Sequence, residues 1–370
     1  VVRCLTTDLP EESRRSRLGS VRAVTASHPP VRSDLAGCSG MPSASATVHP
    51  RRPSVAECVT ELERCYPPSW AQSWDAVGLA VGDPNMPVQH VLFAVDPVVE
   101  VVREAVDRGA QLLVTHHPLF LRGVHGVAET SAGGRVVATA IRGGLALFSA
   151  HTNADVACPG VSDALADALG LSVVEPLGGL SGGPSGDLPG DSPQPGNGGL
   201  GRVGDLAEAE PLRAFCARVA AALPATAGGV RTTGDPDRPV RRIAVCGGSG
   251  GELIAAAARA GADALVTADG RHHHVLDAVA AYDVALVDVA HWASEWPWLH
   301  SASARLRAGL AGRGRTVNTT VSGLVTDPWR WHAASSWPGE PDRDRADQDD
   351  RAEAGPAVTD AAGSNACGAQ

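Results

Sequence analysis

VLFAVDPVVEVVREAVDRGAQLLVTHH, residues 91–117, lies without a gap on IAVCGGSGGELIAAAARAGADALVTAD, residues 243–269. In the first stretch the apolar run Val91 to Val95 reads as a buried strand. Asp96 then reads as a helix cap with Pro97 at the first helical position, Val98 to Arg108 as an amphipathic helix and Gly109 as its stop. A second strand follows at Gln111 to Thr115. This β-α-β order predicts parallel strands joined by a right-handed crossover. The correspondence runs on: Ala146-Leu147 leads to Ala150-His151 and Asp155, and Ala285-Leu286 leads to Ala290-His291 and Glu295. Two copies are too few for a solenoid, so the chain reads as α/β with one duplicated unit (repeat 91–157 / 243–295).

Outward from the repeat, Ser54-Val55-Ala56-Glu57 has the form of a capping box, followed at helical spacing by Val55, Val59, Leu62 and Tyr66. Residues 1–50 are rich in Arg, Ser and Pro without the apolar centre of a signal peptide. They read as a disordered extension, or as residues upstream of a true start at Met41. The expected organisation is a first α/β unit at 51–177, a flexible Gly/Pro/Ser linker at 178–200, a second unit at 201–326 and a disordered acidic tail at 327–370. Trp329, Trp331 and Trp337 stand in that tail.

The 370 residues, 44% hydrophobic, suffice for one large or two ordinary domains. Their apolar runs are far shorter than the roughly 20 residues of a spanning helix. A soluble protein without membrane attachment is expected. The net charge of −10, about half of it in the tail, argues against a general nucleic-acid grip. Eight Cys with no C-x-x-C pair indicate neither a thiolate zinc site nor a disulfide framework, which fits the reducing cytoplasm.

His116 and His117 follow a predicted strand, at the carboxyl end where open α/β sheets build their sites. His151 with Asp155 and His291 with Glu295 follow the equivalent strands. A spacing of four puts imidazole and carboxylate on one face of a helical turn. Imidazole mixed with carboxylate suits Zn, Mn or Fe(II), and six such donors are enough for two ions. Gly247-Gly248-Ser249-Gly250, between a strand and a helix, reads as a phosphate cradle or simply as a tight turn. Arg271-His272-His273-His274 offers an acid or base, with His273 the candidate, or an exposed polar turn. Asp269, at the place of His117 in the repeat, is a further polar candidate.

Seven motifs carry a resemblance. They are Trp74-Asp75-Ala76-Val77-Gly78-Leu79, Thr115-His116-His117-Pro118-Leu119, Ala150 to Asp155, Gly201-Arg202-Val203-Gly204, Gly247 to Gly250, Thr267-Ala268-Asp269 and His291 to Glu295. Over about 54–326 the chain resembles the GTP cyclohydrolase 1 type 2 homolog family, also called the Ngg-interacting-factor-three-like family. The resemblance implies two intertwined, duplicated α/β units with mixed sheets and a toroidal homohexamer built as a trimer of dimers. It also implies two divalent ions per chain held by His116, His117, Asp155, His291 and Glu295. Asp155 would bridge the ions, and His151 would stand by as ligand or proton shuttle. Ala76 departs from the usual Asn and Ala268 from the usual Gly; neither is an implied ligand, so it is the substrate contacts that these departures touch. The expected activity is metal-dependent hydrolysis of GTP or another nucleotide. The alternatives are a phosphoesterase and a ring-forming metal-binding or regulatory scaffold without turnover.

Overall fold

In the computed structural model, which describes residues 51–177 and 199–334, each copy of the repeat becomes three parallel strands. The extension 1–50, nearly all of the linker and the tail from 335 onward lie outside the described residues. Helix α1 (Val55–Cys65) opens with the expected capping box. The Glu57 amide donates to Ser54 Oγ at 3.2 Å, and the Ser54 amide donates to the Glu57 carboxylate at 2.8 Å.

The first half continues with β1 (Gly78–Val81), β2 (His90–Ala94), α2 (Val99–Asp107), β3 (Leu112–Thr115), α3 (Ala132–Arg142) and β4 (Ala146–Ser149). It ends with α4 (Thr152–Asp155), α5 (Val161–Ala168) and β5 (Ser172–Pro176). The second half begins with β6 (Arg202–Pro211), α6 (Leu212–Ala222), β7 (Arg231–Thr232), β8 (Pro239–Ser249) and α7 (Ile254–Arg259). It ends with β9 (Ala264–Ala268), α8 (His272–Ala281), β10 (Ala285–Val289), α9 (His291–Ala311) and β11 (Asn318–Val321).

One expectation fails locally. Asp96 does not cap α2, whose N-cap is Val98 with no side-chain bond; the Asp96 carboxylate is used elsewhere, as described below. The stop at Gly109 is confirmed, with φ +66°, a conformation that glycine adopts without strain.

The first sheet has the order β1-β4-β3-β2-β11. Its centre is parallel, β11 lies parallel to β2, and β1 runs antiparallel to β4. The second has the order β5-β6-β8-β9-β10-β7, with β8, β9 and β10 parallel and the outer strands antiparallel. Both sheets are therefore mixed, and they exchange strands. Strand β5 comes from the first half of the sequence but sits in the second sheet, and β11 comes from the end of the second half but completes the first.

Alternation along the strands assigns the layers. Val91 and Phe93 of β2 and Ile243 and Val245 of β8 face a shared core filled by Leu165 of α5 and by Trp298, Leu299, Ala302 and Leu306 of α9. Leu92, Leu113 and Leu147 point the other way, onto Val101 and Val102 of α2 and Val136 of α3. Ala244, Leu265 and Leu286 do the same on the second sheet, against Ala257 of α7 and Ala278 of α8. Helix α9 thus runs between the sheets, and its first turn lies at their carboxyl edges. Among the described residues no helix is long and apolar enough to cross a membrane.

Candidate metal centre

The register of the first sheet brings the ends of three strands level: Ala94 pairs with Thr115, and Thr115 with Ser149. Asp96, the His116-His117 pair and His151 therefore emerge together just beyond β2, β3 and β4. Strand β10 ends at Val289, and α9 begins two residues later with His291, one helical turn before Glu295. Because α9 threads between the sheets, it carries the second copy's pair onto the edge of the first. The imidazoles of His116, His117 and His151 stand 5.1 to 5.5 Å apart centre to centre, and His291 is 5.2 Å from His117. Buried Trp298 packs on His116 at 5.3 Å and closes the floor.

All four imidazoles have Nδ1 bonded to an oxygen. His116 Nδ1 meets the Ala150 carbonyl at 3.0 Å, and His117 Nδ1 meets Asp96 Oδ1 at 2.7 Å. His151 Nδ1 meets Asp75 Oδ1 at 2.9 Å, and His291 Nδ1 meets Asp269 Oδ2 at 2.7 Å. An oxygen acceptor keeps the proton on Nδ1 and leaves Nε2 as the inward atom. This is how metal-binding histidines are oriented.

Two triads result, His116/His117/His151 and His117/His291/Glu295, the donor atoms of each within 4.8 Å of one another. Glu295 Oε1 lies 2.8 Å from His291 Nε2 and 3.4 Å from His116 Nε2, and Oε2 lies 3.1 Å from His117 Nε2. Asp155 Oδ1 is 3.5 Å from His116 Nε2. Three buried atoms here, His116 Nε2, Asp155 Oδ1 and Glu295 Oε2, have no hydrogen-bond partner among the described residues. Burying such atoms unpaired is costly, and a cation would satisfy all three. The donor set fits a divalent ion. Among the described residues no thiolate joins the cluster, and Cys246, beside the glycine stretch, is a thiol pushed up to about 12, chiefly by burial.

The charges agree with that reading. Burial raises Glu295, but the charges of His117, His116 and His291 outweigh it and hold the carboxyl well below its usual range. Burial lowers His291 and His117. The nearby Glu295 charge, aided by the bond to Asp269 or Asp96, more than reverses this, lifting His291 to about 9 and His117 well above its ordinary value. Asp155 is pushed by burial up to about 7, the charges of His151, His117 and His291 offsetting only part of the rise while that of Glu295 adds to it.

The glycine stretch is used differently from the phosphate cradle considered above. The amides of Gly247, Gly248 and Gly250 are taken by Ser162, Ser294 and Thr267. Gly248, at φ +68°, lies so close to the centre that a Cβ would meet Glu295 Oε1 at 2.5 Å and His291 Nε2 at 3.2 Å. Ser249 ends β8, exposed. His273 lies exposed in the first turn of α8, its ring 5.1 Å from that of His272, and belongs to neither triad.

Sequence reasoning missed Asp75 and Asp96 as the partners that fix imidazoles. Asp75 accepts from the Thr152 amide and hydroxyl as well as from His151. Burial raises its carboxyl, but these bonds outweigh it and hold it at about 2. Ala76 donates its amide to the same carboxylate. For Asp96 the signal is the register of β2 against β3, which sets it level with His117.

Residues 53–328 match the Duf34/NIF3 (NGG1p interacting factor 3) family. The chain belongs to this family. A "GTP cyclohydrolase 1 type 2 homolog" from Streptomyces coelicolor is 50% identical over 284 residues, covering 77% of this chain and 96% of the relative. Its namesake from Mycobacterium leprae is 38% identical, covering 74% and 94%. Among solved structures, a Bacillus cereus protein related to NIF3 superposes with a TM-score of 0.68 at 27% identity, over 76% of this chain and 100% of that one. A Staphylococcus aureus hypothetical protein gives 0.66 at 29% identity, over 75% and 99%. The Duf34/NIF3 likeness thus spans both mixed sheets and the cluster between them.

Proposed function

We propose that this Duf34/NIF3 chain holds two divalent ions, Zn, Mn or Fe, and is a metal-dependent hydrolase acting on GTP, another nucleotide or a related phosphoester. The observation that supports it is the set of four imidazoles, each with Nδ1 tied to an oxygen, with Nε2 of His116, His117 and His291 against Glu295, Nε2 of His116 also near Asp155, and His151 grouped with His116 and His117. His116, His117, Asp155, His291 and Glu295 would hold the ions. When bound, such ions supply Lewis-acid charge that polarises the scissile bond and acidifies water. His151, fixed by Asp75 and edged by Trp74 at 5.9 Å, is the imidazole whose Nε2 takes up or gives the proton at the reacting oxygen. With the glycine amides taken, the metal cluster itself becomes the seat for phosphate oxygens. A ring-shaped homohexamer in the cytoplasm is part of the same proposal.

The test is elemental analysis of the purified full-length chain beside the double variant His116→Ala/His291→Ala. Light scattering would be recorded on both. About two ions per chain, lost in the variant, with a hexamer mass in the wild type, are expected. Formate release from GTP, or phosphate release from a phosphoester, then identifies the reaction. Metal content equal in the two proteins after supply of Zn or Mn would overturn the proposal, and metal without turnover of either substrate class would leave a binding scaffold.

A further inference from the structure

The chain returns to the cluster after β11. Thr326 Oγ1 donates to Asp96 Oδ2 at 2.5 Å, the carboxylate whose other oxygen holds His117. Immediately beyond, Asp327, Trp329 and Trp331 form one wall of a cavity of about 450 Å³, and His291 and Asp269 stand in its lining. The cavity therefore opens onto the candidate metal centre.

Two independent observations say what it is built to hold. Trp329 and Trp331 are 71% and 79% exposed, in a chain that is only 4% aromatic. Indole faces left bare beside a cavity are available for stacking, which every flat ring can supply. Asp327 is only 3% exposed, and its Oδ2 is buried without a hydrogen-bond partner among the described residues. The other two carboxylates of the lining are engaged, Asp269 by His291 and Asp288 by Arg231 and the Gly270 amide. Asp327 accepts a backbone hydrogen bond from Trp329 and lies in the field of Arg330, so its Oδ2 is the oxygen left over. Three carboxylates line the cavity beside His291, His332 and one guanidinium, Arg231, which Asp288 already pairs, and a purely apolar guest would leave Asp327 Oδ2 unsatisfied.

We propose that this cavity is a substrate subsite for a flat, uncharged heteroaromatic ring bearing N–H donors. Trp329 and Trp331 provide the stacking faces, and Asp327 Oδ2 accepts a hydrogen bond from the ring's edge. The proposal rests on the reading of the cluster as a hydrolytic centre and adds to it the ring-binding half of the substrate. Anionic oxygens go to the cluster and the ring goes to the cavity.

The experiment is calorimetry on the metal-loaded full-length chain with guanosine, adenosine, N6,N6-dimethyladenosine and D-ribose, with metal content measured on every sample. Guanosine and adenosine should bind, the dimethyl compound more weakly, and ribose not at all. Trp329→Ala and Trp331→Ala, which change exposed side chains and so spare the fold, should each weaken binding about 10-fold. Asp327→Ala should reduce the preference for guanosine and adenosine over the dimethyl compound, with metal content unchanged in all three variants. If the chain holds its metal yet binds no nucleoside, or binds equally well in both Trp variants, the subsite proposal falls while the metal reading stands. Nucleoside binding by a chain that takes up no metal would do the opposite, removing the metal centre and keeping the ring-binding cavity.

Discussion

Glu295 gathers three imidazoles around one buried carboxylate, and without metal the balancing positive charge must come from protons. His291, lifted to about 9, and Asp155, raised from 3.8 to about 7, both favour their protonated forms in the fold. A raised folded value contributes stability that is complete below the unfolded value and is lost as pH rises through the folded one. The chelator-treated chain should therefore lose thermal stability between about pH 5 and pH 9, through the values of Asp155 and then His291. Reloading with Zn or Mn should flatten that profile, because the cation replaces the protons. Thermal melts at stepped pH, with and without metal, check this; equal slopes in both states would contradict it. The gathering of these imidazoles and carboxylates was legible, since a vicinal His pair and two H-x-x-x-acid pairs sat at equivalent strand ends. Asp96 was not, because an Asp-Pro step after a strand reads locally as a helix cap. Only the register of β2 against β3 reveals its other use.

Among the elements, β8 shows how one local signal can have two readings. A glycine run between strand and helix suits a phosphate loop, and it equally suits a backbone that must pass close to something bulky. The second use applies at Gly248, where positive φ and proximity to Glu295 act together. Gly248→Ala should destabilise the chain by about 1–2 kcal/mol from the backbone conformation alone. It should also weaken metal binding by displacing Glu295. Gly251→Ala, three residues on, has open space around its Cβ and should change neither. Denaturant unfolding and metal titration of the pair separate the two effects. By contrast, the capping box of α1 was fully legible, since both of its hydrogen bonds are local and need no tertiary partner.

At the scale of the molecule, the repeat disclosed the two parallel centres but not the strands that flank them. Strand β7 is two exposed residues without alternation, and β5 and β11 are short segments whose partners lie in the other half of the sequence. Their exchange makes the halves interdependent. Fragments 51–177 and 199–334 produced separately should each lack cooperative unfolding and bind no metal, and mixing them should restore both; circular dichroism melts and elemental analysis provide the readout. The same exchange imposes an order on synthesis. As the chain leaves the ribosome, His116, His117 and Asp155 emerge long before His291 and Glu295, and the open edge of β2 waits for β11. On the proposed ligand set, an ion captured early would meet three of its five ligands, so the choice of metal would fall to the finished chain and not to the nascent one.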